Sequence, residues 1–206
     1  LSTLSISLLL ILSFLSTWFF SRHFIDHAIF DLLAFLFLYG FFSLATLSLL
    51  RTLKPYPIGK FSMDTHAFRY WKLVAVLTNL TEKSLAPFNT VFTQAVIQKA
   101  LGIKCGKQVA FAAIIRDHPL IHVDDFSTLG QNSVITAHAI THESIILKPI
   151  YIGKNAVVGI NSVVMPGVTL GANAILAPGS VATMDTKIPA NELWGGIPAR
   201  KIKNLP

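Results

Sequence analysis

Seven histidines are spread over the 206 residues, and the four in the C-terminal half stand as two close pairs, His118/His122 and His138/His142. Imidazole changes protonation near neutral pH. A histidine can therefore take a proton from an attacking hydroxyl or amine and return it to a leaving group. Several imidazoles converging from different parts of a chain can instead hold zinc. A carboxylate stands in the second pair's segment, Glu143 beside His142. A carboxylate or second imidazole bonded to Nδ1 of a catalytic histidine would set its tautomer, so His142 and Glu143 are candidates to support His138, either by orienting it or by touching an acceptor. The ordinary reading of both is a solvated loop. On position alone, His138 stays open between a general base and a loop histidine.

The elements that must hold these residues are legible in a six-residue period. Ile152, Val158, Val164, Leu170 and Leu176 stand at steps of six, each followed four residues later by Ala156, Ser162, Val168, Ala174 or Ser180. Neither an α-helix nor an ordinary strand sustains that period. A triangular β-solenoid does, with one aliphatic side chain turned inward per face. The period also runs, at another phase, through Cys105, Phe111, Asp117, Val123, Leu129 and Ile135, with partners Val109, Ile115, Ile121, Ser127, Ser133 and Ala139. Asp117 is the one break in that inward row and reads as a bulge. The two phases give about four coils, interrupted after the second by residues 138–149, HAITHESIILKP. Insertions of this kind leave a solenoid as loops and often form its binding face. His122 flanks an inward valine and faces outward. Cys105 reads as a small core hydrophobe; as the single cysteine it excludes an internal disulfide and fits a reducing compartment.

The front of the chain is of another composition. Residues 1–21 and 32–50 carry no charge, and each run has about the length that crosses a bilayer as a helix. A polar turn, SRHFIDH, separates them, so residues 1–54 read as a transmembrane helical hairpin. The chain begins at Leu1 rather than Met, and a part upstream is expected. The turn holds Arg22, offset by Asp26, whereas Arg51, Lys54, Lys60, Arg69 and Lys72 follow the second run. The positive-inside rule then puts both termini and the solenoid in the cytoplasm, with the chain as a multi-pass protein of the cell's inner membrane. Residues 55–103 read as interfacial or capping helices, over 65–80 and 88–101 with Gly102 as a stop. Residues 104–206 form the solenoid. The net charge of +7 comes from scattered basic residues, which fits anionic lipid headgroups and points away from a nucleic-acid partner.

The segment IYIGKNAVVGINSVVMPGVTLGANAILAPGSVAT, residues 150–183, and the later GGIPARKI, residues 195–202, resemble the signature and closing motif of hexapeptide-repeat acyltransferases of the galactoside and xenobiotic type. A looser resemblance extends forward. The hairpin, PYPIGKF, FRYW, LGIKCGKQVAF and the step from AH to LKPIYIG are similar to the membrane-bound terminal modules of ε-poly-lysine-synthetase-type peptide synthetases, which are larger. The resemblance implies a left-handed parallel β-helix and an acyltransferase that uses acetyl-CoA to modify a hydroxyl or amine. It implies a homotrimer with the donor lying between subunits. Ile135-Thr136-Ala137-His138 has the form of the family's strand end before its catalytic histidine, which makes His138 the catalytic residue. The implied coenzyme A contacts are Ile160, Pro178 and Thr183, largely through backbone, with Arg200 and Lys203 on the nucleotide phosphates. Met184 stands where the family often has a lysine. Gly159 and Gly171 are read as demands of the solenoid corners. No metal is expected. The acceptor class stays open among a small molecule, a glycan precursor, a lipid and a peptide. Two alternatives are a γ-type carbonic anhydrase, which uses the same solenoid with zinc on three histidines, and a non-catalytic trimeric scaffold.

Overall fold

The computed structural model describes residues 2–23 and 27–206, with the side chains of Ser2 and His23 left aside. Two compact units emerge, residues 1–55 with 69–101, and residues 56–68 with 102–206.

In the first unit, helix α1 (Ser2–His23) packs along helix α2 (Ala28–Leu53). Both are apolar all round, so one face can be buried while the others stay greasy. The buried face of α1 is Leu9, Ser13 and Thr17, four residues apart; that of α2 is Tyr39, Gly40, Ser43 and Leu47. Small residues let helix backbones approach, and their hydroxyls turn back onto their own helix: Ser13 donates to the Leu9 carbonyl and Thr17 to that of Ser13. Gly40 is small because Leu85 lies against it; a Cβ there would fall 2.4 Å from the leucine's Cδ2. Leu4, Phe14, Trp18, Phe19, Ile29, Phe30, Phe41 and Leu49 point outward and are exposed. Arg22 stands in the last turn of α1, and Asp26, its expected offset, lies outside the described residues.

Helix α3 (His66–Ser84) is longer than the 65–80 expected, and helix α4 (Gln94–Leu101) is shorter than 88–101. The difference is local. Ala86–Phe88 forms a 3-10 turn about Pro87, and Thr93 closes the next turn by donating to the Phe88 carbonyl. The C-terminal ends of α2 and α4 are each met by a side chain of another helix, Tyr70 of α3 and Arg51 of α2. Tyr70 donates to the carbonyls of Leu50 and Lys54, and Arg51 donates to the carbonyl of Ala100.

The second unit is the solenoid. Its three parallel sheets are built from short rungs stacked in order. The first holds Lys104–Cys105, Ile121–Val123, Ile150–Ile152, Thr169–Leu170 and Lys187–Ile188. The second holds Ala110–Phe111, Thr128–Leu129, Val157–Val158, Ile175–Leu176 and Glu192–Gly195. The third holds Ile114–Arg116, Val134–Thr136, Val163–Val164 and Val181–Ala182. That is four complete coils and two faces of a fifth, one step beyond the expected four. The last rung is closed by Arg200–Asn204, which runs antiparallel to it.

The inward rows are buried nearly to completion. Val158, Val164 and Leu176 have no exposure, and the partner row Ala156, Ser162, Val168 and Ala174 has none either. Inward serines stay satisfied, as Ser127 donates to the Gly153 carbonyl and Ser162 to that of Ala177. Corners take αL residues. Asn155, Asn173 and Asn191 sit at φ 57°, 58° and 57° in successive coils and bond to one another in a ladder. Gly159 and Gly171 hold corners for another reason: an added Cβ would lie 2.5 Å from the Pro178 nitrogen and 2.4 Å from the Ala190 nitrogen, respectively.

Three sequence expectations are corrected by this register. Asp117 is not the inward residue of its face. Ile115 is, paired with Ile135 and 1 % exposed. The first coil cuts one corner short, so its third rung pairs at an offset of 20 (Ile114 with Val134), whereas the others of that coil pair at 18 (Ala110 with Thr128). Ala139 is not an inward partner either, because the chain leaves the coil after Thr136. Cys105, on the first rung, is only half-buried.

Candidate active site

The interruption of the solenoid is a β-hairpin. Strand His138–Ile140 pairs antiparallel with strand Ser144–Leu147, His138 lying opposite Leu147. A third strand, Gly59–Ser62, pairs with the other edge of Ser144–Leu147, with Gly59 also opposite Leu147. His138, Leu147 and Gly59 thus form one row across this small sheet. Ile145 and Leu147 anchor it, both fully buried.

His138 is presented where the third rung of the second coil ends. One coil earlier the matching rung, Ile114–Arg116, ends at Asp117. Arg116 is in register with Thr136, so Asp117 comes next in line toward His138. Asp117 adopts αL geometry (φ 61°, ψ 49°), which a short polar residue tolerates. A 3-10 turn, His118–Leu120, follows and carries the chain round the corner. The Asp117 side chain, 2 % exposed, places Oδ2 2.5 Å from Nδ1 of His138. Tyr56 donates to its other oxygen, Oδ1, at 2.8 Å. Thr136 Oγ1 lies 3.3 Å from Nδ1 and donates to the His138 carbonyl at 3.1 Å. The His138 side chain itself is 24 % exposed.

This arrangement has a definite chemical capacity. A carboxylate at Nδ1 favours the tautomer that carries its proton there, which leaves Nε2 with its lone pair as the acceptor. When Nε2 takes a proton, the same carboxylate faces the positive ring. Charge-assisted hydrogen bonds of this kind are roughly twice as strong as neutral ones. The carboxylate that meets His138 is therefore Asp117. His142 and Glu143, the candidate supporters, lie exposed in the turn of the hairpin, where their ordinary reading as a solvated loop put them.

The remaining histidines go elsewhere. His118 is buried in the 3-10 turn, 1 % exposed. His122 lies on the outer side of its rung with its ring 4.7 Å from that of Tyr151. Burial pushes its imidazole pKa down, Lys104 adds to this, and Asp124 opposes it. Among the described residues, no three of His, Cys, Asp and Glu converge as a set able to hold a metal ion.

The residues implied for the donor are on the surface. Ile160 is 52 % exposed and its carbonyl accepts from the Gly179 N–H, so Ile160 and Pro178–Gly179 share one corner of consecutive coils. Thr183, Arg200 and Lys203 are exposed, Arg200 and Lys203 on the closing strand. Arg200 donates to the Ala199 carbonyl, while the neighbouring Lys201 is occupied by Glu192 at 2.5 Å.

Residues 149–183 match the family model described as bacterial transferase hexapeptide (six repeats). The chain is 25 % identical over 139 residues to a delta-poly-L-ornithine synthetase of Acinetobacter baumannii, covering 67 % of this chain and 10 % of that one. It is 36 % identical over 97 residues to the galactoside O-acetyltransferase of Escherichia coli, covering 40 % and 47 %. A mitochondrial gamma carbonic anhydrase 2 of Arabidopsis thaliana is 29 % identical over 162 residues, covering 71 % and 58 %. The chain thus spans less than two thirds of each of these relatives. Among solved structures, a hexapeptide-repeat acetyltransferase of Vibrio cholerae complexed with acetyl coenzyme A superposes with a TM-score of 0.57 at 19 % identity, covering 71 % of this chain and 93 % of that one. That likeness is one of fold: the solenoid is a hexapeptide-repeat left-handed β-helix.

Proposed function

We propose that this hexapeptide-repeat protein is a membrane-anchored acyltransferase that moves an acetyl group from acetyl-CoA to a hydroxyl or amine, with His138 as general base. The observation that carries the reading is the Asp117–His138 pair, placed where the hairpin leaves the solenoid. In the reaction, Nε2 of His138 takes the proton of the acceptor O–H or N–H as the acceptor attacks the thioester carbonyl. The tetrahedral intermediate collapses with cleavage of the C–S bond. The imidazolium then returns its proton to the leaving thiolate, so free coenzyme A and the acetylated acceptor result. Asp117 acts through the ring, holding its tautomer and facing its charge.

The donor would lie along the corner marked by Ile160, Pro178 and Thr183, between neighbouring copies of a homotrimer, with Arg200 and Lys203 on its phosphates. A guanidinium pairs with phosphate in bidentate fashion, which suits a strongly anionic donor. Helices α1 and α2 would cross the inner membrane. Their support is length and outward apolar surface: 20 residues from Thr3 to Arg22, and 26 from Ala28 to Leu53, pass the length and hydropathy of a span. Arg51, Lys54 and Lys60 after the second helix favour a cytoplasmic solenoid, the side on which acetyl-CoA is available.

The test is release of thiol from acetyl-CoA by the full-length protein in detergent, with water alone and with a panel of hexoses and short primary amines as acceptors. His138→Ala should lower turnover roughly a hundredfold or more, the usual worth of a positioned base. His142→Ala should change it little. Full turnover in His138→Ala refutes the base assignment, and no thiol release by the unaltered protein with any acceptor counts against the donor reading.

A further inference from the structure

The segment between α2 and α3 supplies a strand to the hairpin and a side chain to the buried carboxylate. We propose that Tyr56 is a positioning residue of the reaction, a third member of a Tyr56–Asp117–His138 chain. The proposal rests on the reading of His138 as the base.

Three observations carry it. First, the two oxygens of Asp117 are divided between the two partners, Oδ2 to His138 at 2.5 Å and Oδ1 to Tyr56 at 2.8 Å. A carboxylate held at one oxygen only can rotate about its Cβ–Cγ bond; held at both, it keeps its plane and therefore the plane of the imidazole. With the side chain 2 % exposed, solvent has little access to replace the phenol. Second, Tyr56 is presented by a stiff piece of chain. Pro55 and Pro57 flank it, and a residue before proline is restricted to extended backbone. Third, the far end of this piece is pinned in the same sheet row as the base. Gly59 and His138 are both opposite Leu147, on its two sides. Gly59 has φ 109°, a conformation that L side chains rarely adopt, and it stands three residues after Tyr56, where the link enters that row.

The base is thus oriented by residues from three separate stretches: the second coil, the first coil, and the link that follows the second apolar helix by only two residues. The last of these lies outside the repeat that builds the rest of the site.

The experiment uses the full chain and thiol release from acetyl-CoA with water as the acceptor. Tyr56→Phe keeps the ring and removes the donor. Turnover at saturating acetyl-CoA should fall about tenfold with KM for acetyl-CoA unchanged, because Tyr56 bonds to Asp117 and is not among the residues proposed to hold the donor. In an Asp117→Asn background the same change should cost little, since the two residues act as one unit. Gly59→Ala reaches the same bond through the backbone; no atom lies within 4 Å of the added Cβ, so its effect is conformational. It should also lower turnover, and again far less beside Asp117→Asn. These second measurements decide the matter if Tyr56→Phe folds poorly. Unaltered turnover in Tyr56→Phe, a raised KM with unaltered turnover, or an equal loss with and without Asp117 would each overturn the proposal. His138→Ala run beside them separates the two readings: a dead His138→Ala with a fully active Tyr56→Phe removes Tyr56 and leaves the base in place.

Discussion

Asp117→Asn is the sharpest test of how the site works. The substitution keeps shape and volume and removes one charge from a side chain that is 2 % exposed. It abolishes the charge-assisted bond to Nδ1 of His138, 2.5 Å long in the folded protein. Bonds to charged groups contribute about 1.5–3 kcal/mol, and about 1.4 kcal/mol is a factor of ten, so turnover should fall roughly ten- to a hundredfold or slightly more. A second effect can enlarge the loss. An amide can turn its NH2 toward Nδ1, which would force the other tautomer and take the lone pair away from Nε2. In a serine-protease triad the equivalent change lowers turnover about 10⁴-fold. A loss near tenfold therefore reports the missing charge alone, and one of several thousandfold reports the inverted tautomer. The assay is thiol release at saturating acetyl-CoA, with KM for acetyl-CoA and the melting temperature measured on the same preparation. KM should hold, because Asp117 bonds to the His138 ring and is not among the residues proposed to hold the donor. Turnover equal to that of the unaltered protein, in a preparation where His138→Ala is inactive, would refute the idea that Asp117 orients the base.

Arg200→Ala should raise KM for acetyl-CoA with a smaller effect on turnover at saturation, since a phosphate contact far from the reacting carbon contributes alike before and during the reaction; an unchanged KM would take Arg200 out of the donor site. A reporter fused after Pro206 should report a cytoplasmic C-terminus, and protein in mild detergent should run as a trimer; a C-terminus on the opposite face would separate the site from acetyl-CoA, and an active monomer would remove the shared donor site. Glu192 ties the closing strand to the solenoid by accepting from Lys201 at 2.5 Å, and it also accepts from the ring N–H of Trp194 on its own rung at 2.7 Å. Those bonds, Lys201 first, hold its carboxyl below the ordinary range. Because the folded value is depressed, this tie is fully present above the unfolded carboxyl value, about 4.3, and is lost as pH falls through the lower folded value. Trp194 fluorescence should therefore change on acidification below the ordinary carboxyl range in the unaltered protein and lack that change in Glu192→Gln; identical titrations in the two would show that the pair does not hold the strand.

Much of this fold is local in the sequence, and that part was legible. An inward aliphatic at every sixth position is a property of each coil by itself, so the rows from Ile152 to Leu176 could be read off without knowing what stacked on what. The same is true of the two apolar helices, whose length and lack of charge need no partner to recognise. His138 could be proposed from the sequence because it follows the end of a rung at the point where the repeat breaks.

What the sequence did not determine is everything that depends on register between coils. A strict step of six puts Asp117 in the core row. The structure shortens one corner of the first coil, gives that row to Ile115, and leaves Asp117 beyond the rung in αL geometry, beside a histidine 21 residues away. A period describes the average coil, and a single shortened corner changes which residue of the next coil is met. The role of Tyr56 lies further from view, 61 residues from the carboxylate it bonds and in a segment with no repeat at all. Its place is set by the antiparallel pairing of Gly59–Ser62 with Ser144–Leu147, a hydrogen-bonding choice made between distant strands. The sequence by itself thus settled the solenoid and the apolar helices, and offered His138 as the proposed base. Only tertiary structure decided which carboxylate meets that histidine and what holds it there, because those contacts are made across coils and strands whose spacing no local pattern encodes.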